Sequence, residues 1–341
     1  DLASSITLSQ DLTNLALVQA GHDFDVTART VKQNVTSAAV LGAMSGTGTM
    51  NLTLSAAYND GGGNIATVFS GKDLNITGPS MVNQTTGLWG ANGNLSLSAT
   101  SGDIVNYGAL YAGNDLSATA TSGQIQNYIT YHTVQDQLLG NRNGASDKDA
   151  GQSTAGNLYS SKQVLDTTAT VNAGRDIAFT AETIVNSSEV NAGRDITFTA
   201  NTILNQVQGG DTRVWSGADL VNSGDSNTSS ADGLNYGRNT ATNAYYSFPD
   251  DYEDTTYTET WHRSQYFGGG TPIFKPVLKA VGTLTLQGFT TGKNLGGVIE
   301  ANQIDIATTQ GGASFVNDAL TLSRDNFTRT TTRSIHYVAL G

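Results

Sequence analysis

The sequence predicts an all-β chain wound as a parallel β-helix, a β-solenoid, and three observations carry that expectation. The first is a repeat. Asn172-Ala173-Gly174-Arg175-Asp176 returns 19 residues later as Asn191-Ala192-Gly193-Arg194-Asp195. Ile177-x-Phe179-x-Ala181 returns as Ile196-x-Phe198-x-Ala200, and Ile184-Val185-Asn186 as Ile203-Leu204-Asn205. A short fixed period of this kind is the mark of a stacked repeat architecture. The second is alternation: Ile177, Phe179 and Ala181 fall on one side of a strand, because successive side chains point to opposite faces. One strand cannot bury that side alone. Stacking the next copy about 4.8 Å above it closes the backbone hydrogen bonds and builds a continuous core. The third is composition. Charged residues make up 13% of the chain and Gly 39 of 341, against about 25% and about 7% in ordinary domains. The apolar runs are short and rich in Thr, Val and Ile, which suits strands and tight turns.

In chain order, the unit is first clear at Ala20-Gly21-His22-Asp23-Phe24-Asp25-Val26. A looser copy is Met50-Asn51-Leu52-Thr53-Leu54. Sharper copies follow at Gly71-Lys72-Asp73-Leu74, Gly93-Asn94-Leu95 and Gly113-Asn114-Asp115-Leu116, with Leu74, Leu95 and Leu116 spaced 21 apart. Asn83, Asn106 and Asn127 mark a second corner of these coils. Asn tolerates a corner backbone, and its amide can bond to the copies above and below. The glycine serves the other corner, where a positive φ is expected. Asp73, Asp115, Asp176 and Asp195 follow that glycine. They read either as a metal-binding stripe or as carboxylates that accept backbone N–H groups in the turn; the second reading is the expected one. The calcium-binding nonapeptide GGxGxDxUx is missing from the sequence.

The period divides the chain into coils over 1–130, an insertion over 131–169, coils over 170–207, an aromatic-rich insertion over 208–279, and coils with a terminal segment over 280–341. Within the first insertion Val134 to Leu139 reads as a short helical turn and the rest as polar loop. Leu284 and Ile304 resume the register, 20 residues apart. Phe315-Val316-Asn317 and Leu320-Thr321-Leu322 read as a last coil, followed by an alternating strand at Ile335-His336-Tyr337-Val338.

Charge and residue usage exclude several functions. The net charge is −12, from 17 basic and 29 acidic residues. Such a chain is a poor nucleic-acid binder, since that affinity comes mainly from neutralising phosphates. With no cysteine there is no disulfide framework, zinc ribbon or thiol chemistry. The four histidines, His22, His132, His262 and His336, make no metal-binding spacing. No nucleophile elbow, phosphate-binding loop or dinucleotide fingerprint stands out. No cofactor is expected. A chain that opens on Asp1, without a basic and apolar leader, reads as an internal fragment of something longer.

The repeats N-A-G-R-D-I-x-F-T-A…I-x-N resemble those of filamentous haemagglutinin-type exoproteins, which Gram-negative bacteria secrete by two-partner secretion. The contact-dependent growth inhibition effectors belong to that group. The resemblance covers about 1–130, 171–206 and 281–322. At Ala280-Val281-Gly282-Thr283-Leu284 the chain departs from the A-G-G-N-L turn usual in the family. The resemblance implies a right-handed parallel β-helix, secreted to the cell surface and serving as stalk and adhesive or receptor-binding filament. It also implies an outer-membrane transporter for the full-length protein, and an outer-membrane protein or glycolipid on a target cell as receptor.

In a solenoid the coils are scaffold and insertions carry specificity. The 208–279 insertion is therefore the candidate receptor-binding region. Its candidate contacts are Trp215, Tyr245, Tyr246, Phe248 and Tyr252, together with Tyr257, Trp261, Arg263, Tyr266 and Phe267. Aromatics with Arg are the usual anchors of recognition surfaces, although the same residues fit packing of the insertion or pairing across a hairpin. Asp250-Asp251-Tyr252-Glu253-Asp254 reads as a solvated acidic loop. Two alternatives to receptor binding stay open: a plain structural stalk, and a β-helical polysaccharide-cleaving enzyme. The enzyme is the less expected, because the coil carboxylates fall one per turn rather than clustering on a face.

Overall fold

The computed structural model describes residues 3–33, 40–43, 46–57, 65–141, 157–208, 210–212, 233–241, 251–262, 267–308, 312–318 and 327–337. These residues form strands and turns, with no helix among them. The chain divides into two compact units. One comprises Asp1–His132, Leu165–Gly209 and Pro272–Leu320; the other Thr133–Val164, Gly210–Thr271 and Thr321–Gly341.

The first unit is a parallel β-solenoid of about nine turns. Each full turn contributes three strands, and like strands stack into three parallel faces. In the coil that starts at Ala109, the first face takes Ala109–Ala112, and Leu116–Asn127 supplies the other two. Leu116 to Ala120 pairs on the second face and Gln124 to Asn127 on the third. On the second face Leu74 pairs with Leu95, Leu95 with Leu116, Ile177 with Ile196 and Leu284 with Ile304. The spacings of 21, 19 and 20 residues thus each correspond to one rung.

The core lies inside this stack. Leu74, Ile76, Leu95, Leu97, Leu116, Ile177, Phe179, Ile196, Phe198, Leu284 and Leu286 are all buried, and their neighbours on the strand alternate outward. Phe179 and Phe198 lie one above the other with ring centroids 5.0 Å apart and 2° between their planes. The strand spacing imposes that separation. The final rung lacks a neighbour on one side among the described residues. Ile304 and Ile306 are accordingly 47% and 43% exposed, although they sit in register with buried Leu284 and Leu286.

The asparagine corner is a ladder. Nδ2 of Asn83 donates to Oδ1 of Asn106 at 2.8 Å, Asn106 to Asn127 at 2.8 Å, and Asn127 to Asn186 at 2.9 Å. Asn186 donates to Asn205 at 2.8 Å, Asn205 to Asn294 at 2.7 Å, and Asn294 to Asn317 at 2.7 Å. The second amide hydrogen is also used: Asn127 and Asn186 donate to the carbonyls of Glu189 and Val277, each at 3.1 Å. At one end of the ladder Asn83 Oδ1 is buried without a donor. Its register partner on the preceding rung is Ile65, which has none to offer.

The glycine corner has a different cause from the one expected. Among the described residues the glycines with positive φ are Gly288, Gly296 and Gly312, and none of the repeat glycines is among them. What they need is room. A Cβ at Gly113 would lie 2.0 Å from the carbonyl oxygen of Asn92, one at Gly174 2.0 Å from that of Gly113, and one at Gly193 2.2 Å from that of Gly174. Successive corners nest backbone on backbone, and a side chain there would force them apart.

Both insertions interrupt the coil at one corner. The first falls between the third-face strand ending at Asn127 and the first-face strand Thr170–Ala173; the second falls between Thr202–Gln206 and Val277–Ala280. Register is restored across each gap, with Leu116 paired to Ile177 and Ile196 to Leu284.

The second unit corrects the expectation of loops and a helical turn. Val134 to Leu139 lies within a strand, Thr130–Asn141. That strand shares a sheet with Asn157–Thr167, Gly210–Thr212 and Phe267–Pro272. A separate three-stranded sheet has Asp251–His262 at its centre, antiparallel to Gly233–Ala241 on one side and to Phe327–Tyr337 on the other. The physical reason is composition. Thr255-Thr256-Tyr257-Thr258-Glu259-Thr260-Trp261 and Thr328-Arg329-Thr330-Thr331-Thr332 are dense in β-branched and aromatic residues, which favour a pleated surface over a loop. The strand expected over Ile335–Val338 belongs to this sheet through Tyr337. Leu320 to Leu322, expected in a last coil, lies outside the described residues.

Candidate functional site

Trp215, Tyr245, Tyr246, Phe248, Arg263 and Tyr266 lie outside the described residues. The other four predicted contacts fall on strands. Tyr252, Tyr257 and Trp261 belong to the central strand of the three-stranded sheet, opposite His336, Thr331 and Phe327 on one neighbour, while Phe267 opens a strand of the other sheet. These four aromatics thus divide between two sheets.

On the coils, the repeat carboxylates perform the expected turn chemistry. Asp23 Oδ1 accepts the backbone N–H of Thr49 at 2.8 Å, Asp73 that of Asn94 at 2.7 Å, and Asp195 that of Thr283 at 2.7 Å. Asp115 and Asp176 accept from Asp176 and Asp195 at 3.3 Å. Each of these links joins one rung to the next. The arginine of the unit adds a second tie. Arg175 Nε reaches Asp115 Oδ1 at 3.0 Å and Arg194 Nε reaches Asp176 Oδ1 at 2.7 Å, with a further guanidinium contact to the other carboxylate oxygen in both. These guanidinium hydrogen bonds hold the carboxyls of Asp115 and Asp176 below the usual carboxylate range. Gly282 occupies the position equivalent to Arg194 on the following rung, and Val281 that of Gly193, so the pattern stops where the sequence departs from the repeat.

A feature that sequence reasoning missed lies on the outside of the third face. It is a groove of about 530 Å³ lined by Ser80, Val82, Gln84, Ser101, Gly102, Asp103, Val105, Tyr107 and Ser122. Val82 and Val105 are register partners and form its floor. The serine turns form one lip. Gln84 belongs to the other, a four-residue bulge between Asn83 and Leu88 in which Thr86 is held at φ 70°. Tyr107 lies one rung further, its ring centroid 6.0 Å from that of Tyr128. Asp103 Oδ1 accepts the backbone N–H of Gln124 at 2.8 Å. Burial, reinforced by Tyr107 and by the charge of Asp103, pushes the Tyr128 phenol up, so it stays a neutral donor. Serines at 80, 101 and 122 share the 21-residue interval, and that interval was the one signal in the sequence.

In comparisons with known proteins, no family model, curated protein or solved structure matches this chain. The stack itself is compatible with a structural stalk or with an adhesin.

Proposed function

We propose that this chain is a non-catalytic segment of a secreted, surface-exposed exoprotein of the filamentous haemagglutinin type. Its coils are scaffold, and its inserted strands contact a protein or glycolipid receptor on another cell. One observation carries this reading: the coil keeps its register across both insertions, Leu116 on Ile177 and Ile196 on Leu284. A scaffold that closes beneath an insertion carries that insertion as a separable part. The coil carboxylates support the same reading, since Asp73, Asp115, Asp176 and Asp195 each bond to the next rung, as a scaffold requires.

The test is excision. Residues 210–271 are replaced by a short Gly-Ser turn, and the chain is stopped at 320 so that the strand Phe327–Tyr337 is not left without its partner. The expected result is lost adhesion to target cells with an unchanged β-type circular dichroism spectrum. Adhesion that survives the excision removes the receptor role from these strands, and a parent chain that binds no cell leaves the plain stalk.

A further inference from the structure

We infer that the groove on the third face is a binding site for an uncharged saccharide. This site is separate from the inserted strands and independent of the receptor reading. Four observations converge on that chemistry.

The first is size. About 530 Å³ falls within the roughly 300–1,000 Å³ usual for small-ligand sites. The second is lining. Most ligand pockets are apolar with a few polar groups, whereas here the hydroxyls of Ser80, Ser101 and Ser122, the amide of Gln84, the carboxylate of Asp103 and the phenol of Tyr107 surround a narrow Val82–Val105 floor. A ligand that matches it presents many hydroxyls and one apolar surface. A pyranose ring does both: its C–H face rests on valine and tyrosine while its rim hydroxyls donate and accept. The third is charge. None of the lining residues is Lys, Arg or His, so a sulfated or carboxylated sugar would meet Asp103 with nothing to offset it. An uncharged sugar instead donates hydroxyls to that carboxylate, and hydrogen bonds to an ionised acceptor are the stronger kind.

The fourth is preorganisation. Asp103 is tied by one oxygen to the Gln124 amide, which leaves the other oxygen for a ligand. The turns sit close together because a Cβ at Gly123 would lie 2.2 Å from the carbonyl oxygen of Gly102. Thr86 holds a left-handed backbone that threonine rarely adopts, and such strain persists only where the surroundings over-determine it. A groove fixed by the stack lowers the ordering cost of binding.

The experiment uses the whole chain on an array of neutral oligosaccharides built from hexoses and N-acetylhexosamines, with sulfated and sialylated oligosaccharides beside them. Hits are then titrated by calorimetry. The expected result is binding confined to neutral saccharides. Val105→Trp fills the floor and should weaken binding at least about tenfold, as loss of the buried contact surface implies. Asp103→Asn keeps an acceptor for Gln124 but loses the charge and should weaken binding by about tenfold. Ser101→Trp, on an exposed lip, gives the same steric block if the Val105 variant misfolds. Three outcomes overturn the inference: no neutral saccharide binds, acidic saccharides bind better, or a hit is unaffected by both tryptophan variants in folded protein.

Discussion

Arg194 reaches back one rung to hold Asp176, its Nε 2.7 Å from the carboxylate Oδ1. Asp176 in turn accepts the backbone N–H of Asp195. One carboxylate therefore receives both a side chain and a main chain from the same neighbouring rung. Its pKa in the fold lies below the usual range, and an unfolded aspartate titrates near about 3.9. The sign follows: the tie stabilises the fold above that value and is lost as the pH falls through the lowered folded pKa. Arg194→Ala should lower the melting temperature slightly at pH 7, and the difference from the parent should shrink once the pH drops below about 4. Thermal melts at several pH values measure it. Because Arg194 is 56% exposed, 1 M salt should also shrink the difference.

Replacing Asn205 by Ala breaks the ladder in its middle. The Asn186 amide loses one of its acceptors, keeping the carbonyls of Ser188 and Val277, and Asn294 Oδ1 loses its donor, both in buried positions. An orphaned buried polar group costs about 1–3 kcal/mol, and the Asn294 oxygen sets the scale of the loss. Asn205→Asp should be as harmful, since a carboxylate accepts but cannot donate. Urea unfolding followed by circular dichroism reads the loss.

Gly174→Ala puts a methyl group about 2 Å from a backbone carbonyl and should cost on the order of 1–3 kcal/mol, as overpacking does. Gly21 occupies the corresponding place in an early coil, but a Cβ there meets nothing within 4 Å. Gly21→Ala should leave the melting temperature unchanged or slightly raise it, since alanine is less free in the unfolded chain. Equal effects at the two sites would contradict the nesting of the corners.

Leu284 and Ile304 share one column but differ in exposure, 0% against 47%. Leu284→Ala should cost about 2–5 kcal/mol. Ile304→Ala removes a side chain that already faces solvent and should cost under about 1 kcal/mol. The pair separates burial from residue type within one fold.

The parts of this fold that recur were legible in the sequence. Leu74, Leu95 and Leu116 announced their column by spacing alone, and Asn83, Asn106 and Asn127 announced theirs. The cause behind the corner glycines was hidden, because a repeat shows that glycine is required without saying whether angle or space requires it. The strands of the second unit were hidden for another reason. Tyr252 pairs with His336 and Trp261 with Phe327, contacts between segments far apart in the chain that share no period. The groove lay between these cases. Its serines kept the interval of the coils, but Gln84 and the Thr86 bulge depart from it, and the concavity arises only once the turns are stacked.

The amide string that begins at Asn83 has a mechanical consequence. From Asn83 to Asn294 each side-chain amide of the string hands a hydrogen forward, the last one to Asn317, so lengthwise tension there must tear side chains apart as well as strands. On the rung before Asn83 the string is interrupted, because Ile65 stands where the next amide would be. A molecule pulled from its two ends should part first at that missing link.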